Sequence, residues 1–405
     1  MNFINEQEYI DALNEQPAYY YINKTSNNDG IKYYKDAIVD ELRKLGLLQE
    51  KYLGKGLIVE TTLNNKISQD LSYLLSLFQK EDSNIEASVV ILKPFSNEVI
   101  TLLGGFSYQR SPFNRAIYAK RQIGSTIKPL IYYLGLLNGM SPLSEFTSTK
   151  ETFYIKNIGM YEPRNFNDVY ANKKINMIEA IATSDNIYAV KTTLFLGSQT
   201  VCDSLKFFDV DCQALPSIAL GTPEMSLLKL TSIYNTFASL GDYYKPSLIK
   251  KVTTQTDNKV IYTSSNSKTT LLDKDLTMIL NQLLLAPFDP NINSYVTPTL
   301  KYYKVKDNYA AKSGSTYSDS YVIAYNPNVT IGVWVGTNDG SELKNSPLAK
   351  EIFYAIANYF SNLYQPLWYA PSKSLVVRKI EASSGELSNN GSPYYFLKKQ
   401  DPYKT

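Results

Sequence analysis

Gly124-Ser125-Thr126-Ile127-Lys128-Pro129 stands between a strand-like region and a long helical one. Ser125 and Lys128 are three positions apart, so on a helix they share one face, one turn from each other. Pro129 fits the first turn of a helix, where its missing N–H costs nothing, so the helix is expected to start near Ser125. Ser125 then lies at the positive end of the helix dipole. Upstream, Ala87–Leu92 and Glu98–Leu103 read as strands joined by the turn-prone Pro94-Phe95-Ser96-Asn97. Downstream, the chain from Gly124 to about Leu285 reads as mostly helical, interrupted by a hairpin over Pro246–Thr263 with Asp257-Asn258 at its tip. Three more strand candidates follow, Tyr309–Ser313, Asp319–Tyr325 and Thr330–Val335, then a helix over Leu348–Leu363. This order predicts an α+β fold. An antiparallel five-stranded sheet is flanked by helices, with a large helical subdomain and a small linker region in front.

Farther upstream, Glu6–Leu13 and Tyr34–Leu48 have helical spacing, Leu57–Thr62 alternates like a strand, and Ile67–Phe78 returns to the helical period. The tail from Pro371 is turn-rich.

Composition removes whole classes of chemistry. The 405 residues contain no histidine, which excludes any Ser-His-Asp or Cys-His unit and any His-ligated metal. Two cysteines, Cys202 and Cys212, are too few for a Cys-only zinc site or an iron–sulfur cluster. No cofactor and no metal is expected. A general base must be Lys, Asp, Glu or Tyr. The balance of 41 basic and 38 acidic residues is too even to imply nucleic acid. No apolar run reaches the roughly 18 residues of a membrane helix. Met1–Asn14 is too polar for a secretion signal, so any such signal is expected outside this chain.

Without histidine, a desolvated lysine is the plausible base for a serine, so Ser125 with Lys128 is a candidate nucleophile and base. The pattern alone is weak, because Ser226, Ser247, Ser265 and Ser341 also have lysine three residues on. Ser184-Asp185-Asn186 lies between two helical stretches, where a serine and an asparagine one residue apart can face one cleft or simply cap helices. Lys312-Ser313-Gly314-Ser315 lies on a predicted strand. Its glycine suggests close approach of another backbone, and its lysine and hydroxyls suit a carboxylate; a solvated edge-strand lysine is the alternative.

Together and in this order, S-x-x-K, S-D-N and K-S-G match the signature of penicillin-binding proteins and class A β-lactamases, with K-S-G standing for the commoner K-T-G. The chain resembles the transpeptidase domain of class A penicillin-binding proteins over nearly its whole length. Gly104-Gly105-Phe106, Ser111-Pro112-Phe113-Asn114-Arg115-Ala116 and Arg121-Gln122-Ile123-Gly124-Ser125 resemble the family's approach to the nucleophile, with Ile123 where proline is usual. Glu60-Thr61-Thr62-Leu63 resembles its linker strand, and Ala219-Leu220-Gly221-Thr222-Pro223-Glu224 its G-T/S-x-E stretch. Gly332-Val333-Trp334-Val335-Gly336 resembles its last strand, and Ala370–Pro402 its tail.

The resemblance implies a D,D-transpeptidase that cross-links peptidoglycan stem peptides ending in D-Ala-D-Ala and is acylated by β-lactam antibiotics. It implies Ser125 as nucleophile and Lys128 as base, its pKa lowered by Lys312 and the helix dipole. Ser184 would relay a proton to the leaving amine, and Asn186 would hold the substrate amide. Lys312, Ser313, Gly314, Ser315 and Thr316 would receive the terminal carboxylate, and the backbone N–H groups of Ser125 and Ser315 would form the oxyanion hole. A D,D-carboxypeptidase or serine β-lactamase and a non-catalytic β-lactam sensor remain alternatives. Glu151, Glu162 and Glu179 offer no clear deacylating motif. The expected organisation is a linker region over residues 1–85, a transpeptidase domain over 86–366 and a tail over 367–405. A membrane anchor and a glycosyltransferase domain are expected ahead of the linker in the full protein, residues 1–20 resembling the end of that domain. The chain is thus expected to be a shortened, soluble form with an added Met1, a natural stand-alone transpeptidase being the alternative, of a protein on the extracytoplasmic face of a bacterial membrane that takes part in cell-wall synthesis and cell shape, with other cell-wall proteins as possible partners. Such a location permits a Cys202–Cys212 disulfide; two buried small hydrophobes are the alternative.

Overall fold

The computed structural model describes residues 29–404 except 80, 83, 156–158, 345 and 346. The helix expected at Glu6–Leu13 and the resemblance over residues 1–20 lie outside them. Helix α1 spans Asp29–Lys44. It stops short of the Leu48 expected from periodicity because Gly46 turns the chain at φ +68°. Strand β1 (Leu57–Thr61) follows, then helix α2 (Asn65–Ser76), whose first turn is capped by Asn64 accepting from Ile67 N. Strands β2 (Ile85–Leu92) and β3 (Val99–Leu103) pair antiparallel, and Phe95 makes the turn between them at φ +58°.

The helical block contains α3 (Lys128–Leu137), α4 (Met177–Thr183), α5 (Asn186–Leu196), α6 (Ser198–Lys206) and α7 (Leu227–Ala238). It is less helical than its spacing predicts. Short antiparallel pairs join Glu145–Ser148 to Lys173–Asn176 and Phe153–Ile155 to Gly159–Tyr161. These segments alternate only over three or four residues, too few for periodicity to separate them from loops. Cys202 and Cys212, with Cα atoms 5.7 Å apart, form a disulfide that fastens α6 to the loop after it.

The expected hairpin appears as β4 (Ile249–Thr254) and β5 (Val260–Thr263), and β1 joins its edge to make a three-stranded sheet. Helix α8 (Lys274–Leu283) leads to strands β6 (Ala310–Ser315), β7 (Asp319–Tyr325) and β8 (Thr330–Thr337), then helix α9 (Leu348–Leu363). The central sheet runs β6-β7-β8-β2-β3, antiparallel throughout. Beyond it the turn-rich tail contains an unforeseen hairpin of β9 (Leu375–Ile380) and β10 (Ser392–Leu397).

Side-chain alternation divides the sheet between two cores. Ala87, Val89 and Ile91 of β2 and Ile331, Val333 and Val335 of β8 pack on Ile352, Phe353 and Ile356 of α9. Val90 and Leu92 point the other way, into the core of the helical block. Each such side chain, fully buried, contributes roughly 1.5–3 kcal/mol. The sheet therefore holds β6, its free edge, rigidly against the start of α3.

Candidate active site

The nucleophile candidate sits just ahead of α3. Gly124–Ile127 forms a 3-10 turn, and the α-helix proper begins at Lys128 with Pro129 in its first turn. The expected helix start near Ser125 is thus displaced to Lys128. The turn is pinned from two sides. Ile123 N and Gly124 N both donate to Gly221 O, at 3.1 and 3.2 Å, and Tyr234 Oη donates to Thr126 O at 2.7 Å. The Ala219–Glu224 stretch singled out in the sequence is therefore the seat of the Ser125 turn.

The end of β6 closes on the same turn. A Cβ at Gly314 would lie 2.7 Å from Thr126 Cγ2 and 3.0 Å from both Ile123 O and Thr126 N. A Cβ at Gly124, which has φ +55°, would lie 2.6 Å from Ser315 O. The backbones around Ser125 and Ser315 thus touch, and glycine at both positions is what lets them.

Of the five serines with lysine three residues on, only Ser125 has a buried lysine. Lys229, Lys250 and Lys268 are in ion pairs with carboxylates and at least partly exposed, and Lys344 is exposed. Lys128 has no exposure. Its Nζ donates to Ser184 O at 2.7 Å, Asp185 O at 3.1 Å and Asn186 Oδ1 at 2.6 Å, and lies 3.3 Å from Ser184 Oγ. Burial lowers its pKa to about 7, against an opposing pull from the Asp185 charge. Loss of water, more than the expected Lys312 charge, is the main cause of this shift, and the Lys128 charge in turn disfavours protonation of Lys312.

Lys312 overturns the solvated edge-strand alternative. It too is fully buried, and its Nζ donates to Ser184 Oγ at 2.9 Å and to Ser313 O at 2.7 Å. Burial first, then the Lys128 charge, push its pKa well below the ordinary lysine value. The two lysines meet at one hydroxyl. Ser184 occupies the left-handed region at φ 61°, ψ 40°, an uncommon conformation for serine, which places its side chain there.

Ser184 is the left-handed C-cap of α4, its N–H directed at Ala180 O and Ile181 O, and Asp185 caps the start of α5, its Oδ1 accepting from Tyr188 N at 2.6 Å. Its Oδ2 accepts from Asn165 Nδ2 at 2.8 Å, Tyr295 Oη at 2.6 Å and Ser148 Oγ. Both ends of the Asn186 amide are in use, Oδ1 by Lys128 and Nδ2 on Arg164 O at 2.7 Å. Ser313 is buried and Ser315 exposed; the Thr316 hydroxyl donates to Asp319 Oδ2 at 2.8 Å, inside the β6–β7 turn. Ser148, Asn165 and Tyr295 carry no sequence signal, because nothing in their spacing ties them to residue 185.

The penicillin-binding protein transpeptidase domain matches this chain over residues 87–358. The chain belongs to that family. Penicillin-binding protein 2D of Bacillus subtilis is 32% identical over 98% of this chain and 60% of its own length. Penicillin-binding protein 1A of Aquifex aeolicus is 29% identical over 80% of this chain and 45% of its own. The chain thus spans only about half of these penicillin-binding proteins. Among solved structures, penicillin-binding protein 1A of Haemophilus influenzae superposes with a TM-score of 0.79 at 17% identity, covering 100% of this chain and 80% of that one. PonA1 of Mycobacterium tuberculosis, in complex with penicillin V, gives 0.70 at 19%, covering 89% and 98%. These structural likenesses speak to the fold: an α+β penicillin-binding domain around a five-stranded antiparallel sheet. No described helix is long and apolar enough to cross a membrane.

Proposed function

We propose that this penicillin-binding domain is the transpeptidase unit of a class A protein and cross-links stem peptides through an acyl-enzyme on Ser125. The observation that carries the reading is Lys128: one turn after Ser125, fully buried, without a carboxylate partner, and held near pKa 7. A lysine so placed can be neutral near physiological pH and accept the serine proton.

Ser125 Oγ attacks the carbonyl carbon of the penultimate D-Ala, and its proton passes to Lys128. The backbone N–H groups of Ser125 and Ser315 receive the oxyanion. The bond to the terminal D-Ala breaks, and the leaving amine takes a proton through Ser184, which both lysines touch. The amine of a neighbouring stem then attacks the ester, loses its proton to the same relay and frees Ser125. Asn186 holds the substrate amide by exchanging its Arg164 partner. Lys312, Ser313, Gly314, Ser315 and Thr316 receive the terminal carboxylate, whose charge opposes the downward push on the Lys312 pKa.

β-Lactams would acylate the same serine, a reading supported by the penicillin V held by PonA1. Transfer is favoured over hydrolysis because the glutamates weighed as deacylating groups are engaged elsewhere. Glu151 pairs with Lys191, Glu162 with Lys150, and Glu179 binds Ser294 and Lys173. The substrate, peptidoglycan, places the working protein outside the cytoplasmic membrane. The test is mass spectrometry after penicillin, then incubation with stem peptide and a D-amino acid acceptor. The expected result is one adduct of full penicillin mass on Ser125, none in Ser125→Ala, and an exchanged peptide product. An adduct of similar yield in Ser125→Ala would remove the assignment.

A further inference from the structure

Asp185 is a side chain the proposed chemistry does not touch, yet it is heavily bonded. It is buried, and four donors converge on its carboxylate: Tyr188 N, Asn165 Nδ2, Tyr295 Oη and Ser148 Oγ. Asn165 does more. Its Oδ1 accepts from Asn186 N at 2.8 Å and Ile187 N at 3.3 Å, the opening N–H groups of α5. The chain just before it grips Asn186 as well, through Arg164 O. These bonds fix the backbone of residues 184–186, and that backbone supplies two of the acceptors on which Lys128 rests.

The turn needs holding. Ser184 is in the left-handed region, which a non-glycine residue keeps only where its surroundings over-determine it. A relaxed Ser184 would move its carbonyl off Lys128 and its hydroxyl out of reach of both lysines. From this juxtaposition we infer that Asn165 and Tyr295 are positioning residues for acylation, clamping the Ser184-Asp185-Asn186 turn through Asp185 so that Lys128 keeps its working geometry. The inference rests on Lys128 as the base. The charged and titratable groups around that base are Lys312 on β6 and Asp185 on the turn, with Tyr132 on its own helix, Tyr188 on α5 and Tyr295 around Asp185. Burial raises the pKa of all three tyrosines, so they stay neutral.

The test separates the acylation step k2 from the preceding binding constant, using a fluorescent penicillin across pH, in wild type, Tyr295→Phe and Asn165→Asp. Tyr295→Phe keeps the ring and removes one donor. Its k2 should fall at least roughly fivefold with binding constant and melting temperature nearly unchanged, a loss in the barrier rather than in ground-state binding. Asn165→Asp keeps the acceptor for the α5 N–H groups and sets a second carboxylate against Asp185. Added negative charge favours the protonated lysine, so the rise of k2 with pH should move to higher pH. A purely structural role would lower melting temperature or the acylatable fraction but leave k2 of the folded fraction and its pH midpoint where they were. Unchanged k2 in Tyr295→Phe overturns the inference, whether or not Asn165→Asp folds. Lys128→Arg in the same assay keeps the two readings apart: near-normal acylation there would remove the base itself, independently of how the clamp variants behave.

Discussion

The proposed chemistry turns on Lys128 because water is excluded from it. A buried ammonium with three good acceptors is stabilised by them and by the Asp185 charge but penalised more by desolvation, which brings its pKa down to about 7. The proposed base is active when deprotonated, so acylation by penicillin should rise as pH increases through about 7 and level off above it. Lys128→Arg keeps the charge and cannot release it, because guanidinium stays protonated. Acylation should drop by roughly 10²–10⁴-fold in that variant, the usual worth of a general base. Stopped-flow acylation over pH 5.5–9 reads both; a flat profile in wild type, or an arginine variant within about threefold of it, would place the base elsewhere.

Strand β6 acts on the site through a missing side chain. Gly314 has an ordinary negative φ, so its glycine answers a need for space, not for unusual backbone. The atoms its Cβ would meet include the backbone of Ile123 and Thr126, which cannot swing aside as a flexible side chain can. Gly314→Ala should therefore push β6 away from the Ser125 turn and part the two N–H groups assigned to the oxyanion. Losing one such donor costs about 2.7–4 kcal/mol in other acyl-transfer enzymes, so acylation should fall by at least roughly tenfold. Circular dichroism should stay native, because the rest of the sheet is untouched. Equal acylation rates in the two proteins would show that the contact has no bearing on catalysis.

The whole molecule is a sheet and a helical block whose junction gathers Lys128, Lys312 and Ser184, with Ser125 one turn ahead of Lys128. The carboxylates of Glu151, Glu162 and Glu179 are turned to lysines or to Ser294 instead. Asp185 faces its own buried cluster. With these carboxylates so engaged, the penicilloyl ester should persist for minutes or longer, and intact-mass measurements over time follow it. Several penicillin molecules hydrolysed per second per protein would make this a lactamase.

Local chemistry made much legible from the residues alone. The short apolar runs in Asp319–Tyr325 and Thr330–Val335 and the helical stretch Leu348–Leu363 depend on near neighbours, and each appears where expected. The order of Ser125-x-x-Lys128, Ser184-Asp185-Asn186 and Lys312-Ser313-Gly314 pointed to the family for a similar reason: each motif is a short local unit. What folding alone decided is burial and partnership. Lys128 looks like four other lysines until packing removes its water, and Lys312 reads as a solvated edge residue until it meets Ser184. Tyr295 reaches Asp185 across 110 positions and Ser148 across 37, separations at which no pattern in a single chain encodes contact. The left-handed Ser184, the displaced helix start and the tail hairpin belong to the same class. They follow from which distant surfaces are pressed together, and the pKa values on which the chemistry depends follow from them.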